Sequence, residues 1–214
     1  MVNKRLEIVN KYIDINDTLA DIGCDHGYLG IMAINKGVKF VQFIDNKQGP
    51  LSSAKQNCAN IDQDYLEFTL SSGLNDLNSK VDTIAFCGVG GELLVDVLKE
   101  DLDKAKKLKK LILQPNKNEP SLRKFLNDNN FKIINEEVVF DKDKYYEIIV
   151  CAYSSELVNY SDLDIKYGPI LRIEKSSCFI DKWNNKLIKY QKINQNQPSL
   201  YNLEIEEIKE IIKK

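Results

Sequence analysis

Thr18-Leu-Ala-Asp-Ile-Gly-Cys-Asp-His-Gly-Tyr-Leu-Gly30 is an apolar run that ends in an acid and passes into a turn punctuated by three glycines. The pattern predicts a buried parallel strand, a tight loop and the start of a helix. Gly23 lets the chain turn where the strand ends, and Gly27 removes the Cβ that would hold backbone away from a ligand or a packed helix. Such a unit is a cofactor cradle.

Charge narrows the choice of cofactor. A dinucleotide site uses Gly-x-Gly-x-x-Gly, in which the second glycine and the helix N-terminus meet a pyrophosphate. Here Asp25 holds the second glycine position. With Asp21 at the strand end, it would repel phosphate at contact range but suit a ligand that carries an ammonium and a sulfonium. S-adenosylmethionine is such a ligand and is the expected cofactor, whereas a nicotinamide oxidoreductase is disfavoured. Asp45 falls where an acid ends the second strand and accepts both ribose hydroxyls. The competing reading is an ordinary strand, turn and helix with solvated acids.

The chain has 214 residues, 43% of them hydrophobic and 29% charged, with a net charge of −2. That suits one domain of ordinary size with a smaller appendage, and no global basic balance points to nucleic acid. No apolar run reaches the length of a membrane span, so a cytoplasmic protein is expected. The cysteines Cys24, Cys58, Cys87, Cys151 and Cys178 are odd in number and lack Cys-x-x-Cys spacing, and there is one histidine. Neither a disulfide framework nor a metal site is expected.

Periodicity predicts a helix over Lys4–Tyr12, strands over Val38–Asp45, Leu66–Leu70, Val81–Phe86 and Lys109–Leu113, and helices over Pro50–Asn60, Glu92–Leu102 and Ser121–Asn127. Phe131–Phe140 and Tyr145–Ala152 read as a hairpin. The alternation predicts an α/β fold, a parallel doubly wound sheet with an antiparallel edge. The unusual residues all fall at carboxyl ends of strands, where ligands of such sheets bind. They include Ser72-Gly73, Cys87-Gly-Val-Gly-Gly91 and Gln114-Pro-Asn116. A helix over Ile170–Ile193 carries Phe179, Ile180, Trp183, Leu187 and Tyr190 on one face and Lys175, Lys182, Lys186 and Lys189 on a neighbouring one. With a last helix bearing Tyr201, Ile205, Ile208 and Ile212, it should form an antiparallel hairpin. The expected division is residues 1–154 for the cofactor domain and 155–214 for the helical hairpin.

Asp21-Ile-Gly-Cys-Asp-His-Gly-Tyr-Leu, Gly88-Val-Gly-Gly91 and Leu111-Ile-Leu-Gln-Pro-Asn116 together resemble the bacterial TrmK family. The resemblance extends from Lys4-Arg-Leu to Tyr167-Gly-Pro-Ile and so covers most of the chain. It implies a class I, Rossmann-like, seven-stranded methyltransferase with a coiled-coil-like C-terminal hairpin. The implied reaction moves a methyl group from S-adenosylmethionine to N1 of adenine 22 in tRNA. Gly27, Val89 and Ser72 depart from the residues usual in that family. A methyltransferase acting on another RNA or a small molecule, or a non-catalytic RNA-binding adaptor, are the alternatives.

For that reaction the expected cofactor contacts are Asp21, Gly23, Asp25, His26, Gly27, Asp45, Asn46, Ser72, Gly73 and Cys87. Adenine N1 is unprotonated near pH 7, so the enzyme must position it and stabilise the positive charge that reaches the ring. Gly88 and Asn116 are the candidate dipoles, and Tyr28 is suited to stack on a displaced base. Arg5, Tyr28, Lys175, Lys182, Lys186 and Lys189 are the expected tRNA contacts. A monomer without metal is expected.

Overall fold

The computed structural model describes residues 3–213. All four residues of β1 (Leu19–Ile22) and all five of β2 (Val41–Asp45) are buried, because helices cover both faces of the sheet. Ala20 and Ile22 face a core filled by Leu94 and Leu98 of α4 (Gly91–Glu100) and Leu122 and Leu126 of α6 (Glu119–Asp128). Leu19 faces the opposite core, with Val9 of α1 (Lys4–Lys11), Leu29 and Ala33 of α2 (Tyr28–Lys36), and Leu51 and Ala54 of α3 (Gln48–Asn57).

The seven strands run in the order β3-β2-β1-β4-β5-β7-β6. β3 (Leu66–Leu70), β4 (Thr83–Val89) and β5 (Lys110–Pro115) are parallel to β1 and β2. The order reverses between β1 and β4, which opens a crevice at their carboxyl ends. Ile22 lies level with Ile44 and Phe86, so the three loops that follow meet there.

β6 (Phe131–Asp141) and β7 (Lys144–Tyr153) form the expected hairpin, but β7 inserts beside β5 and leaves β6 outermost. Its two-residue turn, Lys142-Asp143, has φ of 47° and 61°, the left-handed pair that matches the strand twist. β7 meets β5 only from Ile149 to Cys151. The turn end of the hairpin therefore overhangs the carboxyl end of β5, and α1 packs against it.

Three predicted elements are corrected. The helix expected over Glu92–Leu102 divides into α4 and α5 (Leu102–Lys107) at Asp101. β4 runs on to Val89, with a bulge between Cys87 and Val89 in its pairing with β5. The helix expected over Ile170–Ile193 is interrupted: α8 (Leu171–Glu174) ends at Lys175, which sits at φ 47°, and α9 (Ser177–Asn196) starts on the Ser176 cap.

α9 and α10 (Asn202–Ile212) pair as a hairpin, with Tyr190 and Tyr201 stacked at 4.1 Å. Together with α7 (Asp162–Tyr167), they share a core with the sheet edge, in which Val138 of β6 meets Tyr167, Leu171, Phe179, Trp183 and Ile208. Beneath it Arg123 of α6 is fully buried between Glu136 of β6, at 2.8 Å, and Glu147 of β7. Lys182 of α9 joins through Glu147 and, at 3.6 Å, Glu119. Glu136 also accepts from the Ile170 N–H at 3.0 Å.

Candidate active site

The crevice holds a cavity of about 840 Å³. Asp21, Gly23, Asp25, His26, Asp45, Asn46, Ser72, Gly73 and Cys87 all line it, as do Arg5, Tyr28, Gly88 and Asn116. Gly27 does not. It caps α2 at φ 72°, and a Cβ there would lie 3.0 Å from Ala54 and 3.2 Å from Phe43, so this glycine serves helix packing.

The floor is acidic. Asp21 is buried and accepts from the Gly30 N–H at 3.2 Å. Burial, with Asp45 and Asp25 nearby, pushes its carboxyl up to about 7 against the pull of that hydrogen bond. Asp45 ends β2, and its two oxygens accept from the N–H groups of Lys47 at 3.0 Å and Asp25 at 3.4 Å. Asp25, at φ 50°, leaves its side chain largely in solvent, 3.7 Å from His26 Nε2. Among the described residues no lysine or arginine pairs with any of these three acids. A floor of this chemistry has an unmet demand for a cation, and a ligand bearing an ammonium and a sulfonium meets it. Leu93 and Val97 of α4 add an apolar wall beside Ser72-Gly73, suited to a flat ring. The residues present thus fit S-adenosylmethionine.

The thiols are not nucleophiles here. Burial pushes Cys87 up to about 12 and raises Cys24 as well, so neither supplies thiolate near neutrality.

At the mouth, the ends of β4 and β5 meet α1 in one hydrogen-bonded turn. Asn116 Nδ2 donates to the Gly88 carbonyl at 2.5 Å, and the Asn116 N–H donates to Val89 O at 2.7 Å. Gln114 is fully buried, and its Oε1 accepts from Gly88 N–H at 3.1 Å and from Arg5 Nη1 at 2.8 Å. Arg5 also lies over the Tyr146 ring at 5.2 Å. Gly91 follows in close packing: a Cβ there would lie 2.4 Å from the Asn118 carbonyl. Tyr28, the first residue of α2, is 56% exposed, with its ring 5.5 Å from that of His26.

Gln114 was not among the residues expected to act. Its signal was in view: a polar side chain ending the apolar run Leu111–Leu113. Lys142 lines the cavity from the overhanging hairpin turn, a placement that depends on β7 inserting beside β5.

The lysines of the C-terminal region do not form one free stripe. Lys175 reaches back to the Lys213 carbonyl, and Lys182 is held by Glu147 and Glu119. Lys186 is exposed but lies 4.8 Å from the Trp183 ring centre, where partial desolvation and the neighbouring Lys182 lower its proton affinity. Lys189 is exposed. Among the described residues no group of His, Cys, Asp or Glu is arranged to hold a metal, and no helix is long and apolar enough to cross a membrane.

Comparison with known proteins identifies the family. Residues 19–214 match the model of the TrmK family, tRNA (adenine(22)-N(1))-methyltransferase. The Bacillus subtilis tRNA (adenine(22)-N(1))-methyltransferase is 29% identical over 90% of this chain and 84% of its own length. A Streptococcus pneumoniae protein crystallised with S-adenosyl-L-methionine is 32% identical, superimposes with a TM-score of 0.91 and covers all of both chains. M. capricolum TrmK, solved with S-adenosyl-homocysteine, is 28% identical with a TM-score of 0.81 over 99% of this chain and 95% of its own. The match over residues 19–214, on this sheet order and with these relatives, places the chain in the TrmK family of S-adenosylmethionine-dependent tRNA (adenine(22)-N(1))-methyltransferases.

Proposed function

We propose that this tRNA (adenine(22)-N(1))-methyltransferase holds its cofactor on the Asp21, Asp25 and Asp45 floor and its target base at the mouth formed by Tyr28, Gly88 and Asn116. The observation that carries the reading is the contrast between the two ends of one cavity. Its floor bears acids without cation partners, and its mouth bears amide and carbonyl dipoles beside an exposed aromatic ring.

S-adenosylmethionine supplies the methyl as a sulfonium: the nitrogen–carbon bond forms as the carbon–sulfur bond breaks, sulfur keeps the electron pair, and positive charge passes to the adenine. Asp45 accepts the ribose hydroxyls, while Asp21 and Asp25 favour the cationic end of the cofactor. Asn46, Ser72-Gly73 and His26 border the adenosine and carboxylate parts, and Cys87 and Gly23 shape the floor. Tyr28 stacks on the adenine that leaves the tRNA fold. The Gly88 carbonyl, fixed by Asn116, presents its dipole to the ring that gains charge. N1 has an available lone pair, so the chemistry calls for neither a general base nor a metal.

The segment 155–214 is proposed as the tRNA-binding part, with Lys186 and Lys189 facing phosphate. Action as a monomer in the cytoplasm is part of this reading. The test uses purified protein, labelled S-adenosylmethionine and two transcripts differing only in adenine or guanine at position 22. Label on the first alone, recovered as N1-methyladenosine, is expected. Label on both would overturn the assignment of the target.

A further inference from the structure

The geometry points to Arg5 as a positioning residue that decides which nitrogen of the target adenine is methylated, by withholding the Asn116 carbonyl from the adenine amine. The inference rests on the reading above that the base enters at Gly88 and Asn116. Arg5 comes from α1, ahead of the residues that match the family model.

Its Nη1 lies 2.8 Å from Gln114 Oε1 and 3.4 Å from Asn116 Oδ1. A guanidinium only donates, so both neighbours must be oxygens, and one cation fixes the sense of both amides. Gln114 Nε2 places a second donor on Asn116 Oδ1, at 3.2 Å. The two lone pairs of that oxygen are then taken, and Asn116 Nδ2 is turned to the Gly88 carbonyl at 2.5 Å. Gln114 Oε1 holds the Gly88 N–H at 3.1 Å as well. Both polar backbone atoms of Gly88 are thereby tied, at a φ of 82° that favours glycine.

The base-pairing edge of adenine carries an amine that donates and a ring nitrogen, N1, that accepts. An enzyme that methylates the amine must hold its hydrogens with carbonyl oxygens so that the nitrogen faces the methyl group. At this mouth the side-chain acceptor is saturated by Arg5 and Gln114. One acceptor remains for the amine, the second lone pair of the Gly88 carbonyl. Tethered there by a single hydrogen, the base turns N1 inward. Attack by the amine would also have to release a proton to water, whereas attack by N1 releases none.

The test compares wild type with Arg5→Ala and Arg5→Lys, using cofactor calorimetry, kcat and KM for tRNA, and the products of digestion at neutral pH, where N1-methyladenosine does not rearrange to its N6 isomer. Arg5→Ala should bind cofactor like wild type and lose about 10- to 100-fold in kcat, with a share of its product methylated at N6. Arg5→Lys, which keeps a donor, should recover most of kcat and yield the N1 product alone. Wild-type kcat with a raised KM in Arg5→Ala would make the residue a phosphate contact and overturn the inference. So would a slowed Arg5→Ala that still gives only the N1 product, or one that loses cofactor affinity. Failure of the wild type to methylate tRNA would instead count against the assignment of function.

Discussion

Asp21 is the residue on which the cofactor site turns. Its folded value of about 7 exceeds the ordinary carboxylate value, so the native state keeps a proton that the unfolded chain releases between about pH 4 and pH 7. Stability of the ligand-free protein from this group therefore falls as pH rises through that window. Asp21→Asn should melt above wild type at pH 8, and the gap should close towards pH 5, as followed by scanning calorimetry. A cationic ligand favours the ionised acid, so wild-type affinity for S-adenosylmethionine should weaken as pH drops below about 7, with that dependence flattened in Asp21→Asn. Titrations in buffers of different ionisation enthalpy would read the proton released on binding. Asp45 acts by hydrogen bonding: Asp45→Ala should cost about 1–3 kcal/mol of cofactor affinity, whether or not tRNA is present. For Tyr28 the exposed ring is the feature that matters. Tyr28→Phe should turn over nearly as wild type and Tyr28→Ala far more slowly at equal cofactor affinity; a Phe variant as slow as Ala would give the role to the hydroxyl.

Among the elements, α2 shows how tightly the cradle is seated. A Cβ on Gly30 would lie 2.2 Å from Phe43 and 2.9 Å from Val41. Helix propensity alone would make alanine at position 30 stabilising by about 1 kcal/mol, but the clash with the sheet wins. Gly30→Ala should lower stability by about 1–3 kcal/mol in urea titrations and weaken cofactor binding by shifting the Asp21 hydrogen bond. Elements of this kind were legible in the sequence, because a buried parallel strand is a plain apolar run and its turn is written in glycines. The acids of the floor could be read for the same reason, since Asp21 and Asp45 each end such a run. The insertion of β7 beside β5 was not legible, because hairpin periodicity is the same whichever strand lies inside. With it went the overhang that brings Lys142 to the cavity. The break at Lys175 was hidden as well: a lysine in the left-handed region has no local signature, and apolar spacing continues across it. Lys182 looked like part of a solvated face because its partners, Glu119 and Glu147, are far away in sequence.

At the scale of the whole molecule, the buried group of Arg123, Glu136, Glu147 and Lys182 fastens the C-terminal helices to the sheet. Attraction to Arg123 and Lys182 holds the Glu147 carboxyl down to about 2 despite its burial. Arg123→Ala would strand Glu136 in the interior and leave Glu147 with Lys182 alone, and should cost about 3–5 kcal/mol, measured by denaturant unfolding. The same joint dictates how tRNA binding is to be probed. Reversing Lys186 and Lys189 while sparing Lys182 should weaken tRNA binding and reduce its salt slope by up to about two; unchanged binding would move the RNA path off α9. The joint also bears on how the chain matures as it is made. Arg123 and Glu136 are synthesised early, yet their environment is complete only when Ile170 and Lys182 have emerged and docked. A nascent chain arrested before α9 would hold its sheet edge uncovered, with the hairpin lacking its lid of Phe179 and Trp183. Ribosome-bound chains stalled with only residues 1–170 outside the exit tunnel should accordingly be cut by protease within β6 and β7, and chains with α9 and α10 also outside it should resist.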